Sequence, residues 1–489
     1  MSKVQNILIF IFLILLDFGN IAKGIASPRE NSETEFFVQL NKEIPSLMSL
    51  YKIPGAIVAV IKNGKVAFTN AYGYANVETG RRMSTSDICR VESISKSVTA
   101  WGVMKLVEQG KIDLDTPVVE YLKTWEFPKS NFSTTRITTR HLLNHTSGLS
   151  LGTIGVRYVP TEQMPSLKES LTQNALSNCE PGLRFEYSNV GYHLLELLIE
   201  EVTGMSFSQY MEQEVLLPLG MKHSSFEWRS SFANSIPNGY DFLSNPIVPY
   251  VYPEKASGGL FSTVDDIAKF VCAGMMNSEN IGNVLNQKSI LQLHASSVNR
   301  LGFYGLAFDS YGFGHFLEDL PNGKLAVAHG GQGTGWMTHF HAIPETGDAI
   351  VILTNSQRSW PFFAKVLTRW VQYAGYERVG MSIIYTSEKI LWVALGLLIL
   401  LILWLAIQVG FGISQSFRNF APFSKREYKN RIVLTLLLLL ISTIYIWAVS
   451  QDYIFFTSIF PRIASLLVYV TPALALSLLI LVLFPKTTR

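Results

Sequence analysis

Three long apolar segments at the carboxyl end of this chain restrict its fold more than any other feature. They occupy residues 390–411, 432–449 and 463–484 and contain no charged side chain. Each is close to the ~20 residues that an α-helix needs to cross the ~30 Å hydrocarbon core of a bilayer. A buried helix of a soluble domain is the alternative for one such segment. Three in succession favour three transmembrane helices.

The charges between these segments predict their orientation. Residues 412–431 carry five basic side chains against one acidic side chain, Glu427, whereas residues 450–462 carry only Asp452 and Arg462. The positive-inside rule places the basic loop in the cytoplasm. Residues 27–389 then lie outside the cell. The sequence therefore predicts a multi-pass protein of the cell membrane with a large extracellular domain.

The amino terminus resembles a targeting segment. Residues 1–26 contain the basic Lys3, an apolar run at 7–16 and small residues up to Ala26. This run is too short to span a bilayer and predicts a signal peptide cleaved after Ala26. An uncleaved anchor is the alternative, because Asp17 interrupts the apolar run.

Charge and cysteine content exclude other classes of protein. The net charge of the 489-residue chain is only +3, and the basic loop accounts for part of it, so nothing indicates a nucleic-acid partner. An exported domain of this size does not need disulfides, and the odd count of three cysteines leaves at least one thiol unpaired. Cys89 lies near Ser93 in sequence, but a small buried residue explains it better than a second nucleophile.

A serine and a lysine one helical turn apart begin a helical pattern that extends to about Gln109. They are Ser93 and Lys96 of the tetrapeptide S-I-S-K. Side chains three residues apart emerge on the same face of a helix. A neutral lysine in that position can accept the proton of the hydroxyl group and create a nucleophile. The tetrapeptide alone is a weak signal, since a solvated helix could carry both residues.

Two further motifs place polar side chains where enzyme sites often have them. The triplet Y-S-N at residues 187–189 follows a Pro-Gly turn and precedes a helical pattern at about 191–202. Loops of this kind often carry functional side chains. The triplet H-G-G at 329–331 ends the strand-like run 325–328, and its glycines let a substrate approach the backbone.

In order and approximate spacing, the three motifs resemble those of the serine β-lactamase and penicillin-binding-protein-like hydrolases. The likeness is to the branch of class C β-lactamases, D,D-peptidases and esterases, which uses S-x-x-K, Y-x-N and K-T-G or H-x-G. Residues 54–60, 137–149, 218–221 and 258–263 also resemble the family. The resemblance covers about residues 33–375. The sequence departs from the usual β-lactamase pattern at His329, where β-lactamases usually carry lysine.

The resemblance implies acyl transfer through a covalent ester on Ser93. Lys96 and Tyr187 would share the proton transfers, and Tyr187 would activate the water that removes the acyl group. Asn189 would orient Lys96 and the substrate amide. The positions that would contact the substrate or its oxyanion are His329, Gly331 and Gln332. No cofactor and no metal is implied.

Strand patterns lie at both ends of the extracellular region, with helical patterns between them. The strand-like runs are 56–61, 66–71, 325–328, 336–342 and 349–354. Asn63-Gly64 predicts a hairpin between the first two runs. The pattern predicts one antiparallel sheet built from both ends of the domain, with a helical subdomain. The resemblance implies an α/β (α+β) fold of the β-lactamase/transpeptidase type over residues 27–385.

Two features of the sequence compete with this site. Ser150 lies in a G-x-S-x-G match, but a nucleophile elbow needs a strand before it and a helix after it. Here a helical run and a turn precede the match, and a loop-like segment follows. His339 and His341 alternate on one predicted strand but have no evident third partner for a metal ion.

The expected function is that of a membrane-anchored bacterial enzyme acting on cell-envelope D-alanyl peptides or D-alanyl esters. Histidine is a weaker and more pH-dependent cation than lysine, so β-lactam hydrolysis is the less favoured alternative. The non-enzymatic alternative is a penicillin-binding sensor or scaffold that is acylated without turnover. The expected partners are the envelope substrate, β-lactams and the lipid bilayer.

Overall fold

A computed structural model of the protein describes residues 33–153, 155–276, 284–451 and 455–487. The predicted signal peptide or anchor at residues 1–26 lies outside the described residues. The described residues include the large domain that precedes the apolar segments and the three apolar segments themselves.

Twelve strands form the β-structure of the described chain. In chain order they are β1 (Gly55–Lys62), β2 (Lys65–Asn76), β3 (Arg81–Arg82), β4 (Cys89–Arg90), β5 (Gly239–Tyr240), β6 (Pro246–Ile247), β7 (Phe261–Ser262), β8 (Ser310–Tyr311), β9 (Phe316–Asp319), β10 (Leu325–Gln332), β11 (Met337–Ile343) and β12 (Asp348–Thr354). Eight of them form one sheet in the order β3-β2-β1-β12-β11-β10-β9-β8. Every pair in this sheet is antiparallel.

Thirteen α-helices accompany the strands in the described chain. They are α1 (Glu33–Tyr51), α2 (Ile94–Glu108), α3 (Thr139–Leu143), α4 (Leu167–Asn174), α5 (Asn189–Thr203), α6 (Phe207–Met211), α7 (Val264–Ala273), α8 (Gln287–Leu293), α9 (Trp360–Tyr373), α10 (Ser382–Ser414), α11 (Tyr428–Val449), α12 (Phe455–Ile459) and α13 (Pro461–Leu483). Helices α3 to α6 form the predicted helical subdomain.

Both faces of the sheet are buried. In β1, Ile57 and Ala59 belong to the core shared with α2 and α7, whereas Val58 belongs to the core shared with α1 and α9. A strand covered on both faces is apolar at successive positions, and the run G-A-I-V-A-V-I in β1 has that composition. Helix α2 lies between the sheet and the helical subdomain, and twelve of its fifteen residues are buried.

The predicted sheet is confirmed, because β1 from the start of the domain pairs with β12 from its end. Residues Ala56 and Thr354 are partners in that ladder. Strand β10 is longer than the predicted run 325–328 and includes the H-G-G motif. His329 pairs with Phe340 and Gly331 with Thr338, so these glycines continue the ladder. The short strands β8 and β9 were not predicted.

The three apolar segments are helices long and apolar enough to cross a membrane: Ser382–Ser414, Tyr428–Val449 and Pro461–Leu483. Few of their side chains are buried, and the apolar side chains are partly or fully exposed apart from a few such as Leu395 and Leu478. The loops between them lie at opposite ends. Arg418 of the basic loop donates a hydrogen bond of 2.9 Å to the Phe484 carbonyl at one end. At the other end, Phe303 of the large preceding domain contacts Phe455.

Candidate active site

Ser93 and Lys96 meet at the amino terminus of α2. Ser93 is the N-cap residue with helical backbone angles, so the first helical turn carries both side chains. The Lys96 Nζ lies 3.1 Å from the Ser93 Oγ and 2.7 Å from the Ser257 carbonyl oxygen. Lys96 is fully buried, whereas Ser93 is partly exposed to a cleft. The serine is therefore accessible to a substrate while the lysine is screened from water.

Burial changes the ionisation of this lysine. The loss of hydration lowers the pKa of Lys96 to about 7, although the nearby charge of Glu92 acts in the opposite direction. A group with a pKa near the working pH is suited to accept a proton. At neutral pH a substantial fraction of Lys96 is uncharged, as a base acting on Ser93 requires.

Tyr187 lies against the same two residues. Its ring centre is 5.0 Å from the Lys96 Nζ, and its interaction with the Ser93 side chain acts to lower its pKa. Burial raises the pKa of Tyr187 well above its ordinary value. The phenol therefore keeps its proton near neutrality, which favours Lys96 over Tyr187 as the base in the free protein. The expectation that Tyr187 activates the deacylating water stays a prediction.

The loop that carries Tyr187 is held by a residue that the motifs did not predict. The Ser188 backbone N–H donates to His145 Nδ1 over 3.1 Å, and the His145 ring centre lies 4.3 Å from that of Tyr187. His145 has a left-handed backbone with a φ of 58°. Asn189 follows as the first residue of α5 and lines the cleft. His145 stands in the family-like stretch 137–149, which is the only signal that could have identified it.

His329 on β10 faces the site as a neutral side chain. Its Nδ1 donates to the Gly330 carbonyl over 2.8 Å, and its Nε2 lies 3.2 Å from the Tyr311 hydroxyl. Burial, and next the charge of Lys96, lower the pKa of His329 well below its ordinary value. The imidazole is thus not a cation at neutral pH. Weaker recognition of a substrate carboxylate by His329 than by a lysine stays a prediction.

Gly331 brings β10 against the turn that precedes Ser93. A Cβ atom at this position would lie 2.2 Å from the Val91 carbonyl oxygen and 2.3 Å from the Thr338 Oγ1. No side chain fits there. Gln332 is the next residue, and its Oε1 accepts a hydrogen bond of 2.7 Å from the Trp360 indole. The contribution of the Gln332 and Ser93 backbone N–H groups to an oxyanion hole stays a prediction.

A network of buried polar groups supports the turn before Ser93. Glu92 adopts a left-handed backbone with a φ of 51°. Its carboxylate accepts hydrogen bonds from Arg90 at 2.9 Å and from the Tyr250 and Tyr252 hydroxyls at 3.1 Å each. The two tyrosines lie 158 and 160 residues after Glu92 in the chain. Local sequence patterns gave no sign of this network.

The competing features do not form an alternative site. The Ser150 Oγ donates to the Asn174 carbonyl over 2.9 Å and lies in a loop without the strand and helix of a nucleophile elbow. Cys89 is buried on β4, and burial raises the pKa of its thiol. In the described parts of the chain, no group of three or more His, Cys, Asp or Glu side chains could hold a metal ion.

The cleft beside Ser93 has a volume of about 1640 Å³. Its walls include Tyr187, Asn189, His329 and Gln332. The structure thus brings all the predicted site residues together at the seam between the sheet and the helical subdomain, with Lys96 and Gly331 directly behind the wall. Their roles in catalysis stay predictions.

Comparison with known proteins agrees with this geometry. The family model described as Beta-lactamase matches residues 40–374, and the chain belongs to that family of β-lactamase and transpeptidase-like serine hydrolases. The match ends before α10.

Named relatives cover the same part of the chain. Protein flp of Staphylococcus aureus (strain N315) is 25% identical over 323 residues, which are 65% of this chain and 62% of that protein. Penicillin-binding protein 4* of Bacillus subtilis (strain 168) is 25% identical over 343 residues, which are 65% of this chain and 71% of that protein. The chain therefore aligns with less than two thirds of the length of flp.

Solved structures share the fold. The octameric penicillin-binding protein homologue from Pyrococcus abyssi is 29% identical, with a TM-score of 0.56 over 65% of this chain and 73% of that chain. The β-lactamase/D-alanine carboxypeptidase from Pseudomonas syringae is 19% identical, with a TM-score of 0.57 over 69% of this chain and 99% of that chain.

Proposed function

We propose that the protein is a membrane-anchored serine hydrolase that acts through an acyl-enzyme on D-alanyl peptides or D-alanyl esters of the cell envelope. One observation carries the proposal: the Lys96 Nζ lies 3.1 Å from the Ser93 Oγ, and burial lowers the pKa of Lys96 to about 7. The names of relatives that are penicillin-binding proteins or D-alanine carboxypeptidases support this substrate class.

The proposed reaction has two stages. Neutral Lys96 accepts the Ser93 proton as the Oγ attacks the carbonyl carbon. The bond to the leaving amine or alcohol breaks as protonated Tyr187 donates its proton to the leaving group and takes a proton from Lys96 in its place. Water then attacks the ester on Ser93 and gives a proton to Lys96, which returns a proton to the Ser93 Oγ as the ester bond breaks and the acid leaves. Backbone N–H groups of Ser93 and Gln332 would stabilise the oxyanion in both stages.

The proposed topology places the catalytic domain outside the cell. Residues 412–431 would lie in the cytoplasm because of their basic side chains. The positions of the two loops support this topology. The basic loop contacts Phe484 at the end of the apolar helices that is far from the catalytic domain, whereas the loop between the second and third apolar helices contacts Phe303 of that domain. Three spans then put the carboxyl terminus inside.

Substrate turnover tests the proposal. The purified full-length protein should release D-alanine steadily from a D-alanyl ester or a D-alanyl-D-alanine peptide, and the Ser93→Ala variant should release none. A single burst of one product per protein molecule would instead identify an acylated sensor. Faster steady hydrolysis of a β-lactam than of any D-alanyl substrate would identify a β-lactamase.

A further inference from the structure

The catalytic cleft extends to the apolar helices at the carboxyl end of the chain. Ser93 lies on one part of its wall, and Ile390 and Leu391 of α10 and Phe455 and Phe456 of α12 lie on another. Its volume of about 1640 Å³ exceeds the roughly 300–1,000 Å³ of ordinary ligand pockets. The cleft therefore has room for more than the group that reacts with Ser93.

An aromatic path connects the two parts of the cleft. The ring centres of Tyr187 and Tyr304 are 5.6 Å apart, and those of Tyr304 and Phe455 are 6.4 Å apart. Beside this path, Phe303 and Leu306 are 56% and 57% exposed. Exposed apolar side chains grouped in a cleft are typical of a surface that binds an apolar ligand.

The extracellular domain is fixed to the spans by a buried carboxylate. Glu388 of α10 is buried and accepts a hydrogen bond of 2.8 Å from the Tyr51 hydroxyl of α1. It also lies 3.5 Å from Arg462 of α13. A buried charge is tolerated only when its partners are held in place. The far part of the cleft is thus a built surface shared by the domain and the spans.

Aromatic and basic residues mark the level at which these helices enter the bilayer. The Lys389 Nζ lies 4.2 Å from the Tyr385 ring centre, and the Arg462 guanidinium lies 5.0 Å from the Trp392 ring centre. Such residues are enriched at the membrane–water interface. Ile390 and Leu391, which line the cleft, lie between Lys389 and Trp392 in the sequence. The far part of the cleft therefore opens at the height of the lipid headgroups and the first methylenes.

We propose that the substrate is a membrane amphiphile whose aliphatic chain lies along Phe303 and Leu306 towards Phe455, with its ester or amide carbonyl at Ser93. This inference rests on the proposed serine hydrolase function. The Ser93 Oγ forms the new ester bond while the bond from the carbonyl carbon to the leaving oxygen or nitrogen breaks. The leaving group takes the proton lost by Ser93, and water later frees the serine. The aliphatic chain of the substrate can be on the acyl side or on the leaving side of the scissile bond.

Two series of esters, hydrolysed by the full-length protein in lipid nanodiscs, show whether the aliphatic chain lies on the acyl side or on the leaving side. One series runs from p-nitrophenyl acetate to the octanoate, and the other from the methyl to the octyl ester of D-alanine. Burial of each methylene is worth up to roughly fourfold in binding. In at least one series, Leu306→Asp should lower the ratio of kcat/KM for the longest over the shortest ester by roughly tenfold or more.

Leu217→Asp is the matched control, because Leu217 is 49% exposed and does not line the cleft. Its ratio should stay within about twofold of wild type. Phe303→Ala serves as a second cleft variant if Leu306→Asp does not fold, and it should lower the same ratio. If a cleft variant folds and its ratio of kcat/KM for the longest over the shortest ester equals that of wild type in both series, the inference is overturned.

Failure of the proposed function gives a different result. If wild type and Ser93→Ala hydrolyse the shortest esters at the same rate, the protein is not a Ser93-dependent hydrolase, and the inference falls with it. If short esters need Ser93 but the chain-length ratio is the same in the cleft variants and in wild type, only the amphiphile inference is wrong.

Discussion

The pH dependence of Ser93 acylation should report the ionisation of Lys96. Burial lowers the pKa of Lys96 to about 7 and raises that of Tyr187 well above its ordinary value. Only neutral Lys96 can accept the Ser93 proton, so acylation should accelerate as the pH rises through about 7 and should be level above about pH 8. About a tenth of the lysine is neutral at pH 6 and about a hundredth at pH 5, so the rate should fall in the same proportions.

The assay is the second-order rate of labelling by a fluorophosphonate probe between about pH 5 and about pH 10, the range in which the two candidate bases differ. Tyr187→Phe is the matched variant, because it removes the hydroxyl but keeps the ring beside the Lys96 Nζ. In this variant we expect the labelling rate at high pH to be about 100-fold lower than in wild type. The midpoint of its pH dependence should still lie near pH 7. A wild-type rate that continues to rise about tenfold per pH unit beyond pH 9 would refute the assignment of Lys96 as the base.

Specificity, packing and topology give three further tests. His329→Lys should raise kcat/KM for esters with a free carboxylate relative to matched esters without one, because it replaces a neutral imidazole by a cation; an unchanged ratio would make His329 structural. Gly331→Ala should lower the free energy of unfolding by roughly 1–3 kcal/mol, since its Cβ would lie 2.2 Å from the Val91 carbonyl oxygen, whereas Gly305→Ala, which enters open space, should not. Protease added to intact cells should remove the catalytic domain and spare a tag near Ser424; protection of the domain would reverse the topology.

The sequence predicted those parts of the site that depend on local geometry. Ser93 and Lys96 are one helical turn apart, so their proximity follows from the helix alone. The apolar helices and the central strands were likewise evident, because each needs only its own periodicity or length. The three motifs added Tyr187, Asn189 and His329 through their combined resemblance to a family.

Other features depend on tertiary contacts and could not be read from one segment. The Ser257 carbonyl reaches Lys96 across 161 residues of chain, and the low pKa of Lys96 follows from the burial that these contacts create. His145 supports Tyr187 from 43 residues before Ser188. The contact of Glu388 with Tyr51 joins positions 337 residues apart. No periodic pattern encodes such pairs.

The site of covalent attachment tests the central claim most directly. After reaction with a fluorophosphonate probe or a D-alanyl ester, mass spectrometry of the intact protein and of its peptides should locate one adduct on Ser93. The adduct should be absent from Ser93→Ala and present in Ser150→Ala. An adduct that persists in Ser93→Ala and disappears in Ser150→Ala would contradict the assignment of Ser93 as the nucleophile.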